Sequence, residues 1–247
     1  MNKANPLALP ITLDAKRRIA SDVREMSRND CVGIHYKHSE ENLLLAKAAI
    51  FGQEGTPFYH GIFLFDIEYS PDYPYTPPVL TFINYGSINR LHPNIYASGK
   101  ICLSVLNTWP VGKPWNSCMT IKSVLLNIQS ILTDHPIIHE PGMSADHPES
   151  ESYTKITRFL SLKENLLDHF WRGFEGFEFV QPVANKYLSD NYDRLRTLVS
   201  HLRCQNNRER LVVKLYGIDI DVDYERVEKE LDSLSRRKSS CKKKSKK

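Results

Sequence analysis

The stretch His92-Pro93-Asn94-Ile95-Tyr96-Ala97-Ser98-Gly99-Lys100-Ile101-Cys102-Leu103 packs an imidazole, a turn-forming Pro-Asn pair, a glycine and a thiol into twelve residues. Taken alone, a cysteine ten residues after a histidine says little. Most thiols are small buried apolar groups, and a reactive one needs a particular microenvironment. The segments on either side decide how this run is read.

Upstream, 62–69 has the β-branched and aromatic composition of a strand and partly alternates. The corner Tyr73-Pro74-Tyr75-Thr76-Pro77-Pro78 follows. Proline neither donates to a ladder nor continues a helix, so this is a rigid turn, and 79–83 is the next strand. Further upstream, 31–50 reads as one or two strands with a polar turn at 38–42, and Gly52, Gly55 and Pro57 mark a loop. Thr12 caps an amphipathic helix over 13–28, with Asp14 in its first turn. Leu13, Ile19, Val23 and Met26 form its apolar side, and Lys16, Arg17, Arg18 and Arg24 its basic side.

Downstream, 85–114 shows no long periodicity and reads as extended or looped chain, which inside a compact domain is often functional. The clearest helix is 120–132, with Ile121, Val124, Leu125, Ile128, Ile131 and Leu132 on one face and His135-Pro136 ending it. Beyond Pro141-Gly142 and Pro148, helices are expected over 151–173, 183–203 and 223–237. A helix, then strands in series, then helices is the order of an α+β fold.

The hydrophobic share of 41% suits a globular chain with a real core. No apolar run is long enough to cross a bilayer, and the N-terminus lacks the pattern of a secretory signal, so a cytoplasmic or nuclear location is expected. The five cysteines, Cys31, Cys102, Cys118, Cys204 and Cys241, are widely spaced with no CxxC pair, so neither a structural metal nor a thioredoxin-type site is expected. The net charge of +4 conceals an asymmetry. Segment 236–247 holds eight basic residues and no acid; without it, 25 basic residues face 29 acidic ones. The body is therefore no nucleic-acid binder by charge, and 236–247 is expected to be a separate, disordered cationic tail.

Together, the His-Pro-Asn triplet, Cys102 eight residues after Asn94, the YPxxPP corner and the 120–132 helix resemble the ubiquitin-conjugating enzymes. The resemblance covers about 13–142. It implies the ubiquitin-conjugating fold: a four-stranded antiparallel meander with flanking helices, here over 11–150. A helical C-terminal extension over 151–235 and the basic tail 236–247 would follow.

The resemblance also implies a chemistry. Cys102 would accept ubiquitin or a ubiquitin-like modifier from an activating enzyme as a thioester, which amines attack without further nucleotide. Transfer would go to lysines of protein substrates, directly or with a ubiquitin ligase, or to a ligase cysteine. Asn94 would stabilise the oxyanion, a kind of donor whose loss costs about 100- to 1,000-fold in rate, or hold the loop in place. His92, Pro93 and Leu103 would support the site, Pro93 by fixing the turn. No cofactor is implied in this chain, since ATP is used by the activating enzyme. Lys16, Arg17 and Arg18 lie where the family meets the activating enzyme. Pro74, Tyr75, Ser117 and Cys118 lie where it meets ligases. Neither a membrane nor, outside the basic tail, a nucleic acid is an expected partner.

Two features depart from the common pattern. Trp115-Asn116-Ser117-Cys118 keeps the family's tryptophan but lacks the Ser-Pro that often follows. The segment between Cys102 and Trp115 is long and contains Thr108-Trp109-Pro110, and Glu140-Pro141-Gly142 follows the main helix, a pattern similar to the larger class Z-like subgroup. On the acceptor side, where many members carry Asp or Ser, His139 stands as the residue that positions or deprotonates the lysine, or that merely caps its loop. Two other classes of function are weighed against this one. A non-catalytic ubiquitin-binding module on the same fold typically lacks the cysteine that is present here. A papain-type hydrolase needs an oriented Cys-His pair, which nothing beyond the triplet suggests.

Overall fold

The computed structural model of the chain describes residues 10–28, 30–205 and 207–244. The contacts group into two compact units. The first comprises the described residues within Met1–Ile50, Leu64–Ile83 and Gly99–Ser130, and the second those within Phe51–Phe63, Asn84–Ser98 and Ile131–Lys247. The fold is α+β, with a four-stranded antiparallel sheet in the order β1-β2-β3-β4. Its strands are β1 (Ile34–His38), β2 (Leu45–Phe51), β3 (Ile62–Glu68) and β4 (Val79–Phe82).

In the first unit, α1 (Leu13–Met26) starts where the Thr12 hydroxyl accepts the Ala15 N–H at 3.1 Å. Its buried face is Ala15, Ile19, Asp22 and Met26. Leu13 is 60% exposed, against expectation. It lies two residues before Ala15, about 200° around the helix, so it faces away from that stripe. Sheet register pairs Tyr36 with Ala48 and Ile67 with Leu80. In β4, Leu80 and Phe82 are buried while Val79 and Thr81 are exposed, the period of two expected of a half-buried strand. The helix α2 (Ile121–Ile131) buries Ile121, Val124, Leu125 and Ile128.

Asp22 occupies a core position that a polarity pattern assigns to water. Its carboxylate accepts the Arg18 Nε–H at 3.0 Å, the Ile121 N–H at 3.2 Å and the Tyr73 hydroxyl, so α1, the start of α2 and the proline corner share one anchor. A carboxylate with so many donors is a tolerable burial. At the corner, Tyr73-Pro74 is cis, and the Trp115 indole N–H donates to the Pro74 carbonyl at 2.7 Å.

The second unit carries the C-terminal extension. Helix α3 (Ser150–Leu162) runs through a π turn, Lys163–Leu167, into α4 (Asp168–Arg172); α5 (Gln181–Gln205) follows. Then comes a hairpin absent from the helical expectation: β5 (Arg208–Val213) and β6 (Ile218–Asp223). Leu211 and Val213 pair with Ile220 and Ile218 on its inner face, while Arg208 and Arg210 reach Asp223 and Asp219 on the outer one. Gly217, at φ +63, closes the connection. The last helix, α6 (Tyr224–Lys244), runs into the segment expected to be an irregular tail; residues 245–247 lie outside the described residues. Among the described residues, no helix is long and apolar enough to cross a membrane.

Candidate active site

Cys102 belongs to the first unit and is 3% exposed. The chain enters it from Gly99, whose carbonyl accepts the Phe82 N–H at 2.8 Å. Gly99 has φ +84, and a Cβ there would stand 2.6 Å from the Phe82 carbonyl oxygen, so only glycine fits this approach. The chain leaves through Leu103, and both flanks of Cys102 are clasped by Thr108, which the sequence marks as part of Thr108-Trp109-Pro110 but to which it assigns no contact with the site. The Thr108 hydroxyl accepts the Leu103 N–H at 2.9 Å and shares its proton between the carbonyls of Ile101, at 2.8 Å, and Leu103, at 3.1 Å. A threonine a few residues downstream in an irregular stretch gives no periodic signal. Leu103 itself is buried.

His92, Pro93, Asn94 and His139 belong to the second unit. His92 is fully buried. The Asn94 N–H donates to its Nδ1 at 2.9 Å, so the ring proton is on Nε2, which donates to the Ile131 carbonyl at 3.0 Å. Both ring nitrogens are thus committed to holding the turn. Burial first, then His139 and Arg90, keep the His92 pKa well below the ordinary histidine value. Pro93 and Asn94 are buried as well.

His139 ends the short 3-10 turn Pro136–His139, half-buried, with its ring 4.9 Å from that of His92. Its Nε2 lies 3.2 Å from the Thr133 hydroxyl. Burial lowers its pKa, so the ring is neutral at pH 7.

The expected partner surfaces divide. Lys16 and Arg17 are exposed. Arg18 is occupied: besides Asp22, it donates to the carbonyls of Ser117, at 3.1 Å, Cys118, at 3.2 Å, and Met119. Pro74 is buried, whereas Tyr75 is 60% exposed and its hydroxyl donates to Asp14 at 2.9 Å. Ser117 and Cys118 are exposed in the same unit, and their carbonyls are held by Arg18.

A four-stranded antiparallel meander, a main helix and a cysteine after a His-Pro-Asn turn define a class, and comparison with known proteins agrees. The family model described as "Ubiquitin-conjugating enzyme" matches residues 18–157, more than half of the chain, which therefore belongs to that family. Within it, the chain is 31% identical over 198 residues to ubiquitin-conjugating enzyme E2 Z of Danio rerio, covering 78% of this chain and 60% of that protein. It is 34% identical over 179 residues to the Homo sapiens protein of the same name, covering 71% and 50%. A probable ubiquitin-conjugating enzyme of Caenorhabditis elegans is 36% identical over 147 residues, covering 56% and 20%. The chain thus spans about half to three fifths of the length of the E2 Z relatives, and the subgroup it is similar to is Z-like.

Proposed function

We propose that this chain is a ubiquitin-conjugating enzyme that carries its modifier as a thioester on Cys102. The observation that carries the reading is Cys102 itself: a thiol eight residues after Asn94, inside the family match, with its flanking peptides fixed by Thr108. Loading is an exchange. The Cys102 thiolate attacks the carbonyl of the modifier held on an activating enzyme, the new S–C bond forms, the old one breaks, and the departing thiolate takes up a proton. A lysine amine then attacks, the carbonyl oxygen becomes an oxyanion, and collapse expels the Cys102 thiolate while the amine loses a proton.

Asn94 is assigned to the oxyanion or to the loop that presents it. Neutral His139 is assigned to the amine, as positioner or proton acceptor. Lys16 and Arg17 are assigned to the activating enzyme, and exposed Tyr75, Ser117 and Cys118 to a ligase. The modifier is ubiquitin or a relative, no cofactor is used by this chain, and the place of action is the cytoplasm, the nucleus or both. The test is to mix the full chain with ATP, candidate activating enzymes, and ubiquitin or its relatives, and to run non-reducing gels. A reducible adduct with one modifier supports the reading. No adduct with any matched pair of activating enzyme and modifier counts against it.

A further inference from the structure

The C-terminal extension holds the segment that bears the His-Pro-Asn triplet at several points, all within the second unit. Thr157 on α3 donates to the Leu91 carbonyl at 3.4 Å, and Ser87 donates to Glu164 of the π turn at 3.1 Å. The densest grip is on Arg90. Tyr153 of α3 donates to its backbone carbonyl at 3.1 Å. Its guanidinium lies 3.9 Å from the ring centre of Tyr96 and 4.7 Å from that of Tyr216, the residue at the tip of the β5–β6 hairpin. The Tyr216 hydroxyl donates to Glu140 at 2.9 Å, and Glu140 stands 3.7 Å from the same guanidinium. Arg90 in turn donates to the carbonyl of Pro93.

The chain of contacts therefore runs from the hairpin tip through one cation to the peptide joining Pro93 to Asn94. A cation over two aromatic rings with a carboxylate beside it is a stiff arrangement, because several partners restrict it at once. Stiffness matters at this place. The Pro93 carbonyl and the Asn94 N–H belong to one peptide plane, and that N–H also donates to His92. Arg90 and His92 thus fix the same plane from its two ends, and the orientation of Asn94 follows.

We propose that Tyr216 and Arg90 are positioning residues for transfer: the hairpin of the extension clamps Arg90, which sets the Pro93–Asn94 peptide and with it the Asn94 side chain. The proposal rests on the assignment of Asn94 and Cys102 to modifier transfer.

The test uses the full chain, charged at Cys102 and then discharged onto free lysine in single-turnover runs over a range of lysine concentrations. Tyr216→Ala is expected to lower the maximal discharge rate about 10-fold with the lysine concentration for half-maximal rate unchanged, since misplacement of a positioned group acts on the chemical step. Tyr216→Phe keeps the ring over the guanidinium and is expected to recover most of the rate. Arg90→Met is expected to match Tyr216→Ala, and the double variant to be no slower than either, because both break one linkage. Additive losses, or wild-type discharge by Tyr216→Ala, overturn the proposal.

Amide exchange provides a reading that does not depend on activity. Tyr216→Ala is expected to speed exchange in 92–96 while β1 stays as in the wild type. Unchanged exchange in 92–96 overturns the clamp even if no modifier loads. A wild type that never loads defeats the enzymatic reading instead, and the exchange result then still decides whether the clamp exists.

Discussion

Thr108 and Leu103 are joined by a backbone N–H donating to a side-chain hydroxyl at 2.9 Å, and that hydroxyl also reaches the Ile101 carbonyl at 2.8 Å. One side chain therefore closes a small ring around Cys102. Thr108→Val keeps the shape and removes the hydroxyl, leaving the Leu103 N–H and the Ile101 carbonyl without this partner. The expected cost is about 1–3 kcal/mol of stability, together with slower loading of Cys102, whose backbone loses its tether. Denaturant unfolding and the rate of adduct formation check the two effects. Unchanged values for both would remove Thr108 from the site.

Asp22 is a second anchor within the first unit. Asp22→Ala leaves the Arg18 guanidinium, the Tyr73 hydroxyl and the Ile121 N–H without their shared acceptor. A loss of about 3–5 kcal/mol is expected, the range for breaking a buried charge pair by removing one member. Urea unfolding of the variant measures it, and a loss under about 1 kcal/mol would show that Asp22 is no keystone.

The basic residues of α1 separate by the same contacts. Reversing Lys16 and Arg17 to Glu is expected to slow loading from the activating enzyme while leaving the melting temperature in place, since both side chains are exposed. Arg18→Ala is expected to lower the melting temperature, because its guanidinium holds Asp22 and the 117–119 carbonyls. Loading kinetics beside thermal melts distinguish the two. Equal behaviour of the three residues would refute the division.

Histidine burial sets an acid limit. His60 is pushed down to about 4 by burial and the Arg194 charge, and His169 to about 4 chiefly by burial, with His92 held low as well. Below about pH 6.5 the unfolded chain takes up protons that the folded one refuses, so stability rises with pH through this window and falls on acidification. His60 and His169 each contribute up to about 2 kcal/mol between pH 6.5 and pH 5, and His92 acts in the same direction. A melting temperature roughly 10 °C lower at pH 5 than at pH 7.5 is expected, and a flat profile would contradict the buried-neutral assignment.

His139→Ala is expected to slow discharge onto lysine by about 100-fold or more while loading of Cys102 changes little, the lower end of what a positioned proton acceptor contributes. Single-turnover loading and discharge measured separately give the answer. Equal slowing of both steps would reduce His139 to packing against His92.

Much of this was legible in the sequence, for identifiable reasons. Strands β3 and β4 and helices α1 and α2 announce themselves by composition, period and flanking prolines, 31–50 reads as one or two strands where the fold has β1 and β2, and the spacing of Asn94 to Cys102 marks the candidate site. Leu13 misled because a short apolar stripe fits more than one phase, and only contacts show that Ala15 and Asp22 face inward. Asp22 escaped because polarity patterns place carboxylates in water. The β5–β6 hairpin is readable in the alternation Leu211, Val213, Ile218, Ile220, Val222 around Gly217, but the helical patterns over 183–203 and 223–237 flank it and leave the stretch between them unassigned. Thr108, and the pairing of Arg90 with Tyr216, leave no periodic trace, since such contacts depend on the folded chain.

The central claim is that Cys102, and no other thiol, carries the modifier. Its most direct measurement is the intact mass of the full chain after incubation with ATP, the matching activating enzyme and modifier, for the wild type, Cys102→Ser and Cys118→Ser. The account predicts one reductant-sensitive adduct on the wild type and on Cys118→Ser, and none that reductant removes on Cys102→Ser. A reducible adduct that survives in Cys102→Ser and vanishes in Cys118→Ser would contradict it.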